Sequence, residues 1–360
     1  MTTEQTMGVS GDDSTSRRKG EHIRICLQED VSGTGIQTGL ERLRFRHNAL
    51  PEISFNEINL DTMLFGRKLR APLLVSSMTG GTNEAGAINR RLAEAAEQRG
   101  WAIGLGSMRA AIEQDEMAAS FYIRKEAPSV PVIANLGAVQ FNYGFGVDAC
   151  RKAVDLAEAD ALVLHLNSMQ EVFQPEGDTD FRGLLSQIEQ VCLSLDVPVG
   201  VKEVGWGIDA DTAASLASAG VSFIDVAGAG GTSWSQVEKY RQNDPLRKLA
   251  AEAFADWGIP TTESVCAVRD QLPDMTVIAS GGLRNGVDAA KTIALGANIA
   301  GYGRVLLARA AQQESNLSVQ LLLEQFERIE FELRTAMFGI GAANIEQLRN
   351  TDRLVTIDRS

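Results

Sequence analysis

From Ala71 onward the chain alternates short apolar runs with longer segments whose apolar residues return every three or four positions, and a polar or glycine-rich turn follows each run. Short apolar runs have the length of buried strands, whereas the longer recurrence puts apolar side chains on one face of a helix. The runs lie at 72–76, 102–105, 132–136, 161–166, 199–203, 223–226, 277–280 and 299–302. Helical spacing is plain in Ile88, Leu92, Ala95 and Ala96, and again in Ala149, Ala153, Leu156 and Ala157. Eight such units predict an α/β fold, a (β/α)8 TIM barrel, with functional groups gathered at the carboxyl ends of its strands. An open doubly wound sheet is the structural alternative, but it gives no reason for the count to stop at eight.

Outside the repeat the pattern changes. Residues 1–16 are polar and rich in Ser, Thr and Gly, which predicts a disordered tail. A single domain is expected over 17–350, with 351–360 as a C-terminal tail. Phe45, Leu50, Ile53, Phe55, Ile58 and Phe65 are spaced irregularly, so 39–70 reads as a lead-in segment on the outside or bottom of the barrel. The longest interruption, 227–257, falls between the sixth strand and its helix at 263–271 and is a candidate lid. In the helical extension over 306–338, Leu322, Phe326, Ile329 and Leu333 form a stripe that covers the barrel or, alternatively, meets a neighbouring subunit.

A chain of 360 residues with 44% hydrophobic content supports one large core. It has no apolar stretch of the roughly 18 residues a membrane helix requires, nor a leader-like start, so a soluble cytoplasmic protein is expected. Cys26, Cys150, Cys192 and Cys266 are scattered without a CxxC pair, which argues against a zinc site or a disulfide framework. A net charge of -13 disfavours nucleic acid as a partner. An anionic small substrate therefore needs a local basic cluster, and Arg17, Arg18 and Lys19, with His22 close behind, are either that cluster or a solvated patch.

The strand ends hold the candidate chemistry. Glycine-rich turns follow the last two strands, at Gly281-Gly282 and at Gly301-Tyr-Gly-Arg304, and this pairing is the usual phosphate site of barrel enzymes. Lys202 ends an apolar strand, where an ammonium needs an anion or an electron-rich ring; a Schiff-base lysine and a flavin partner are both open. Ser77, Thr79, Ser107 and Asn135 add neutral groups suited to the edge of a heteroaromatic ring, or simply cap strand ends. The fourth strand runs into the polar row Leu164-His-Leu-Asn-Ser-Met-Gln-Glu171.

With Arg18-Lys-Gly-Glu-His-Ile23, His47-Asn-Ala-Leu-Pro-Glu52, Gly104-Leu-Gly-Ser-Met-Arg109, Val201-Lys-Glu-Val-Gly205, Gly230-Gly-Thr-Ser-Trp234 and Ala279-Ser-Gly-Gly-Leu-Arg284 in the same order, the chain resembles the type 2, FMN-dependent isopentenyl-diphosphate isomerases from about Arg17 to about Gly341. The resemblance implies interconversion of isopentenyl and dimethylallyl diphosphate on FMN that must be reduced, with Mg2+ and with NADPH as reductant, in a homo-oligomer (tetramer or octamer). It implies that Ser77, Met78, Thr79, Ser107, Asn135, Lys202, Thr232, Gly282, Arg284, Gly303 and Arg304 hold FMN. By the same resemblance Arg18, Lys19, His22, Arg109, His165 and Asn167 bind the substrate, Gln170 lies near its alkene, Glu171 binds Mg2+, and Glu238 is a second acidic group at the reacting centre. At Gly303 the resemblance leads one to expect alanine. The nearest alternative is an FMN-dependent 2-hydroxy-acid oxidase or dehydrogenase, but no late His-Gly-x-Arg cluster is present, and His47 lies in the lead-in segment.

Overall fold

Eight parallel strands close on themselves in chain order: β1 (Leu73–Val75), β2 (Ala102–Gly104), β3 (Val132–Gly137), β4 (Ala161–His165), β5 (Val199–Lys202), β6 (Phe223–Asp225), β7 (Thr276–Ala279) and β8 (Ile299–Tyr302). β8 returns to β1 through the register Ala300 to Leu73, Gly301 to Leu74 and Tyr302 to Val75. The computed structural model describes residues 11–357. All eight expected strands are present, with ends displaced by at most one residue. They are buried along nearly their whole length because barrel interior and helical layer cover opposite faces.

The lead-in segment closes the bottom. Its antiparallel hairpin, Thr62–Leu64 with Arg67–Leu69, brings Leu64 and Leu69 against Ala102, Ala161, Phe223 and Ile299 at the strand starts. Phe65 lies 4.8 Å from Phe223, ring to ring, and Arg67 Nε donates to Asp160 Oδ1 at 2.6 Å just ahead of β4. With its bottom plugged, the barrel is accessible at the opposite mouth, where the strands end.

Two expectations about the ends are corrected. Part of the expected 1–16 tail is helical, since a helix spans Gly11–Gln28; residues 1–10 lie outside the described range. Burial of Ile25 with Val31 and Val237 anchors this helix, a tertiary cause invisible in the tail's own composition. The expected tail at 351–360 is likewise ordered through Leu354–Thr356, which pairs antiparallel with Leu43–Phe45.

The C-terminal helix Ser315–Ile340 settles the stripe's partner. Leu322, Phe326, Ile329 and Leu333 are fully buried within the same chain, so they are not available to a neighbouring subunit. Phe326 stacks on Trp101 at 3.9 Å, and Trp101 Nε1 donates to Glu330 Oε1 at 2.8 Å. The stretch 227–257 folds mainly as two helices, Trp234–Arg241 and Pro245–Glu252, beside the barrel mouth. It is tied to the N-terminal arm, the helix Gly11–Gln28 and its continuation through Val31, by Ser233 N donating to Val31 O at 2.8 Å.

Candidate active site

A cavity of about 460 Å³ opens at the carboxyl ends of the strands, within the size range of small-molecule sites. One end is built from glycine turns. Gly281 and Gly282 have φ of +101° and +80°, a conformation that favours glycine, and a Cβ on Gly231 would stand 2.5 Å from the Gly282 nitrogen. Backbone amides are therefore free to approach a ligand closely. Thr232, Gly282, Arg284, Gly303 and Arg304 line this end. Arg284 is held by Asp288 at 3.1 Å, and Arg304 Nη2 lies 3.4 Å from Ser32 Oγ. At Gly303 the nearest atom to an added Cβ would be Met78 Cγ at 3.9 Å, so this position has room for the alanine the resemblance leads one to expect.

The middle of the cavity carries Ser77, Met78 and Thr79 after β1, Ser107 after β2, Asn135 on β3 and Lys202 on β5. Ser76 Oγ and Thr79 Oγ1 are buried without a hydrogen-bond partner, as are Gln140 Oε1 and Asn167 Oδ1. Buried orphans lining one cavity call for a polar ligand. Lys202 donates to the Glu203 carbonyl and sits in register with Asp225 on β6, whose Oδ1 accepts from Ser280 Oγ at 2.6 Å. Burial raises the Asp225 carboxyl above its usual range, against the opposing pull of Lys202.

The other end is basic and reaches into the arm. Arg18, Lys19 and His22 line it together with Arg109, His165, Asn167, Gln170 and Glu171. Arg109 is aimed by Asp178 at 2.7 Å and Glu113 at 2.8 Å. Burial, then Arg18, lowers the half-buried Lys19 ammonium to about 7, against the opposing pull of Glu171 and Glu238. Glu171 accepts from Asn167 Nδ2 and from the Asp178 amide, both at 2.7 Å; burial nonetheless holds its carboxyl above the usual range.

All of the expected substrate, cofactor and metal residues meet in this one cavity. Glu238 is placed differently: it is fully buried behind the wall, and its Oε1 accepts from His22 Nε2 at 2.9 Å and Gln170 Nε2 at 3.1 Å. Burial would raise its carboxyl, but the hydrogen bond from His22, the Arg241 guanidinium and the hydrogen bond from Gln170 together hold it below the usual carboxylate range. Burial also holds His22 below the usual imidazole range despite Glu238, so the ring donates to Glu238 as a neutral group. Glu238 thus stands outside the cavity lining, as the shared acceptor of Gln170 and His22. Asp225, Ser76 and Arg241 were not singled out in the sequence. Asp225 was legible as a carboxylate at a strand end, hidden only because the sixth strand was expected to run one residue further.

The barrel, the glycine-turn cradle and the orphaned ring-edge groups define a flavin-type α/β barrel. Consistently, residues 148–355 match the FMN-dependent dehydrogenase family. In solved structures the fold recurs in a lactate oxidase of Pediococcus acidilactici (17% identity, TM-score 0.66, covering 99% of this chain and 97% of that one) and in a mandelate oxidase variant with an FMN monooxide adduct (20%, 0.63, 97% and 99%). Much greater likeness is found in the isopentenyl-diphosphate delta-isomerases of Oceanobacillus iheyensis, 52% identical over 96% of this chain and 97% of the relative, and of a Nostoc species, 50% identical over 94% and 96%. The chain belongs to the isopentenyl-diphosphate delta-isomerase family.

Proposed function

We propose that the protein interconverts isopentenyl and dimethylallyl diphosphate on bound, reduced FMN, with Mg2+ and with NADPH as reductant. The observation that carries this reading is the convergence of Arg18, Lys19 and Arg109 on one end of a cavity whose other end is a glycine-turn phosphate cradle. Two anion sites flank a polar ring-edge wall, as a phosphate-bearing cofactor and a diphosphate substrate require.

The reaction adds one proton to the alkene and removes another from an allylic carbon, with no net redox change. Reduced FMN, when bound, supplies an electron-rich face for the cationic carbon and a nitrogen-borne proton. The chain's part is binding, orientation and exclusion of water. Arg18, Lys19 and Arg109 neutralise the diphosphate, and the arm shields the developing cation from solvent. Gln170, held by Glu238, positions the alkene; an amide is a poor acid, and Glu238 is already ionised. Ser76, Thr79, Ser107 and Lys202 would hydrogen-bond the cofactor ring, with Ser77, Met78, Asn135 and Thr232 beside them.

Among the described residues no three His, Cys, Asp or Glu side chains group as a metal site. Mg2+ fits Glu171 if diphosphate oxygens and water complete its shell, the usual arrangement for this ion. Among the described residues no helix is long and apolar enough to cross a membrane. A tetrameric or octameric assembly rests on the family resemblance, and with a cytoplasmic location it belongs to the same proposal. The 2-hydroxy-acid oxidase reading draws on shared fold alone, and His47 does not line the cavity.

The test is anaerobic: protein, FMN, Mg2+ and NADPH with isopentenyl diphosphate, assayed for acid-labile allylic product beside a control without reductant. Product only with reductant is expected. An FMN-loaded protein that yields none in either tube overturns the reading.

A further inference from the structure

The arm, the stretch after β4 and the insertion helix Trp234–Arg241 meet at one buried guanidinium. The Arg241 side chain is 5% exposed and contacts three carboxylates on three segments: Glu238 Oε2 at 2.6 Å on its own helix, Glu21 Oε2 at 3.0 Å on the arm, and Glu176 Oε2 at 3.6 Å after β4. The opposite oxygen of Glu238 receives His22 from the arm and Gln170 from the β4 segment. The same three segments form the wall that faces the substrate end of the cavity.

We propose that Arg241 is a positioning residue for the isomerisation: it clamps the arm to the insertion helix and keeps Glu238 as the fixed acceptor that aligns Gln170 and His22. This rests on the isomerase reading above. The physical reason is the burial of Glu238, since a carboxylate without a counter-charge in such a place takes up a proton instead. A proton on Oε2, the oxygen that faces Arg241, would turn Oε1 from a carboxylate oxygen into a neutral carbonyl, a weaker acceptor for Gln170 and His22, and their alignment would loosen. The groups facing Glu238 are Arg18, Lys19, His22 and Cys26 from the arm, Gln170 from the β4 segment, and Arg241 on its own helix; Glu21 and Glu176 act through Arg241. Arg18 and Lys19 serve the substrate anion, which leaves Arg241 as the dedicated counter-charge.

The experiment uses the full chain loaded with FMN and compares wild type, R241M, R241K and R241M/E238Q for kcat and KM across pH, with FMN occupancy as the control for folding. For R241M the expected result is at least a tenfold loss of kcat at pH 6 relative to pH 8.5, an acid limb that wild type and R241K lack and that disappears in R241M/E238Q. An FMN-loaded R241M with the wild-type kcat profile overturns the inference. Should R241M not fold, E21Q/E176Q carries the test: faster tryptic cleavage at Arg17–Lys19 and a several-fold rise in KM are expected, and wild-type values for both overturn the clamp. A wild-type enzyme that makes no product fails the isomerase reading instead, so the two failures are distinguishable.

Discussion

His165 Nδ1 lies 2.8 Å from Oδ1 of Asn135, and the Asn135 amide in turn donates to the Leu105 carbonyl at 3.0 Å. The second bond decides which end of Asn135 faces the ring, so Nδ1 carries the hydrogen and Nε2 a lone pair. Burial, then Lys202, Lys19 and Arg18, hold the imidazole down to about 3, so the ring is neutral. To donate to a phosphate oxygen, Nε2 must first gain a proton. Calorimetry of inorganic pyrophosphate binding to the oxidised, FMN-loaded enzyme at pH 8, in two buffers of different ionisation enthalpy, is therefore expected to show net proton uptake, reduced in His165→Gln. Equal uptake by the two proteins would remove His165 from the anion site.

Lys19 makes a separable contribution. Its ammonium, lowered to about 7 in the free enzyme, is stabilised by a bound anion, so its pKa rises on binding. Its share of the affinity is complete below about pH 7 and declines as pH rises towards the bound value. Dissociation constants for pyrophosphate measured from pH 6 to 9 should show that decline in wild type and a flatter profile in Lys19→Arg, because guanidinium does not titrate in this range. Parallel profiles would contradict the assignment; ionisation of pyrophosphate itself is common to both.

Glu171 combines two duties, since its carboxylate also holds Asn167 and the Asp178 amide. Glu171→Gln is expected to raise the Mg2+ concentration for half-maximal activity by about tenfold, the scale of one lost charge-assisted contact. FMN absorbance should remain unchanged, and loss of flavin colour would count against the metal role.

Lys202 and Asp225 form a cation and carboxylate on adjacent strand ends. Lys202→Ala leaves the buried Asp225 without the cation opposite it, whereas Asp225→Asn removes a buried acid paired with Lys202 in the strand register. Lys202→Ala should weaken FMN binding about tenfold or slow flavin reduction comparably, as expected for removing one charged hydrogen bond. Asp225→Asn should shift the flavin midpoint potential, read by spectroelectrochemistry. Normal occupancy and reduction in Lys202→Ala would refute the role given to the end of β5.

The Trp101–Phe326 stack is a stability element remote from the cavity. Phe326→Ala removes a fully buried ring between the C-terminal helix and the barrel and is expected to cost about 3–5 kcal/mol. The urea midpoint of the FMN-loaded protein measures it; a cost below about 1 kcal/mol, under the usual range for such deletions, would mean that the helix repacks.

What the sequence determined by itself is local and periodic. Short apolar runs specified the eight strands, helical spacing the layer outside them, and glycine turns one end of the cavity, because backbone conformation and burial of a face are read from near neighbours in the chain. It also placed Arg18, Lys19, Arg109, His165 and Lys202 among the candidates, through motif order and strand ends. Only the tertiary structure decided what depends on distant partners. Leu354–Thr356 becomes a strand because it finds Leu43–Phe45, and the Leu322–Leu333 stripe is consumed by its own barrel. Glu238 leaves the cavity for a buried seat between His22 and Arg241, and its charge state follows from that seat. Protonation, tautomer and aim are set by groups brought within a few ångströms by folding, and no spacing along the chain encodes them.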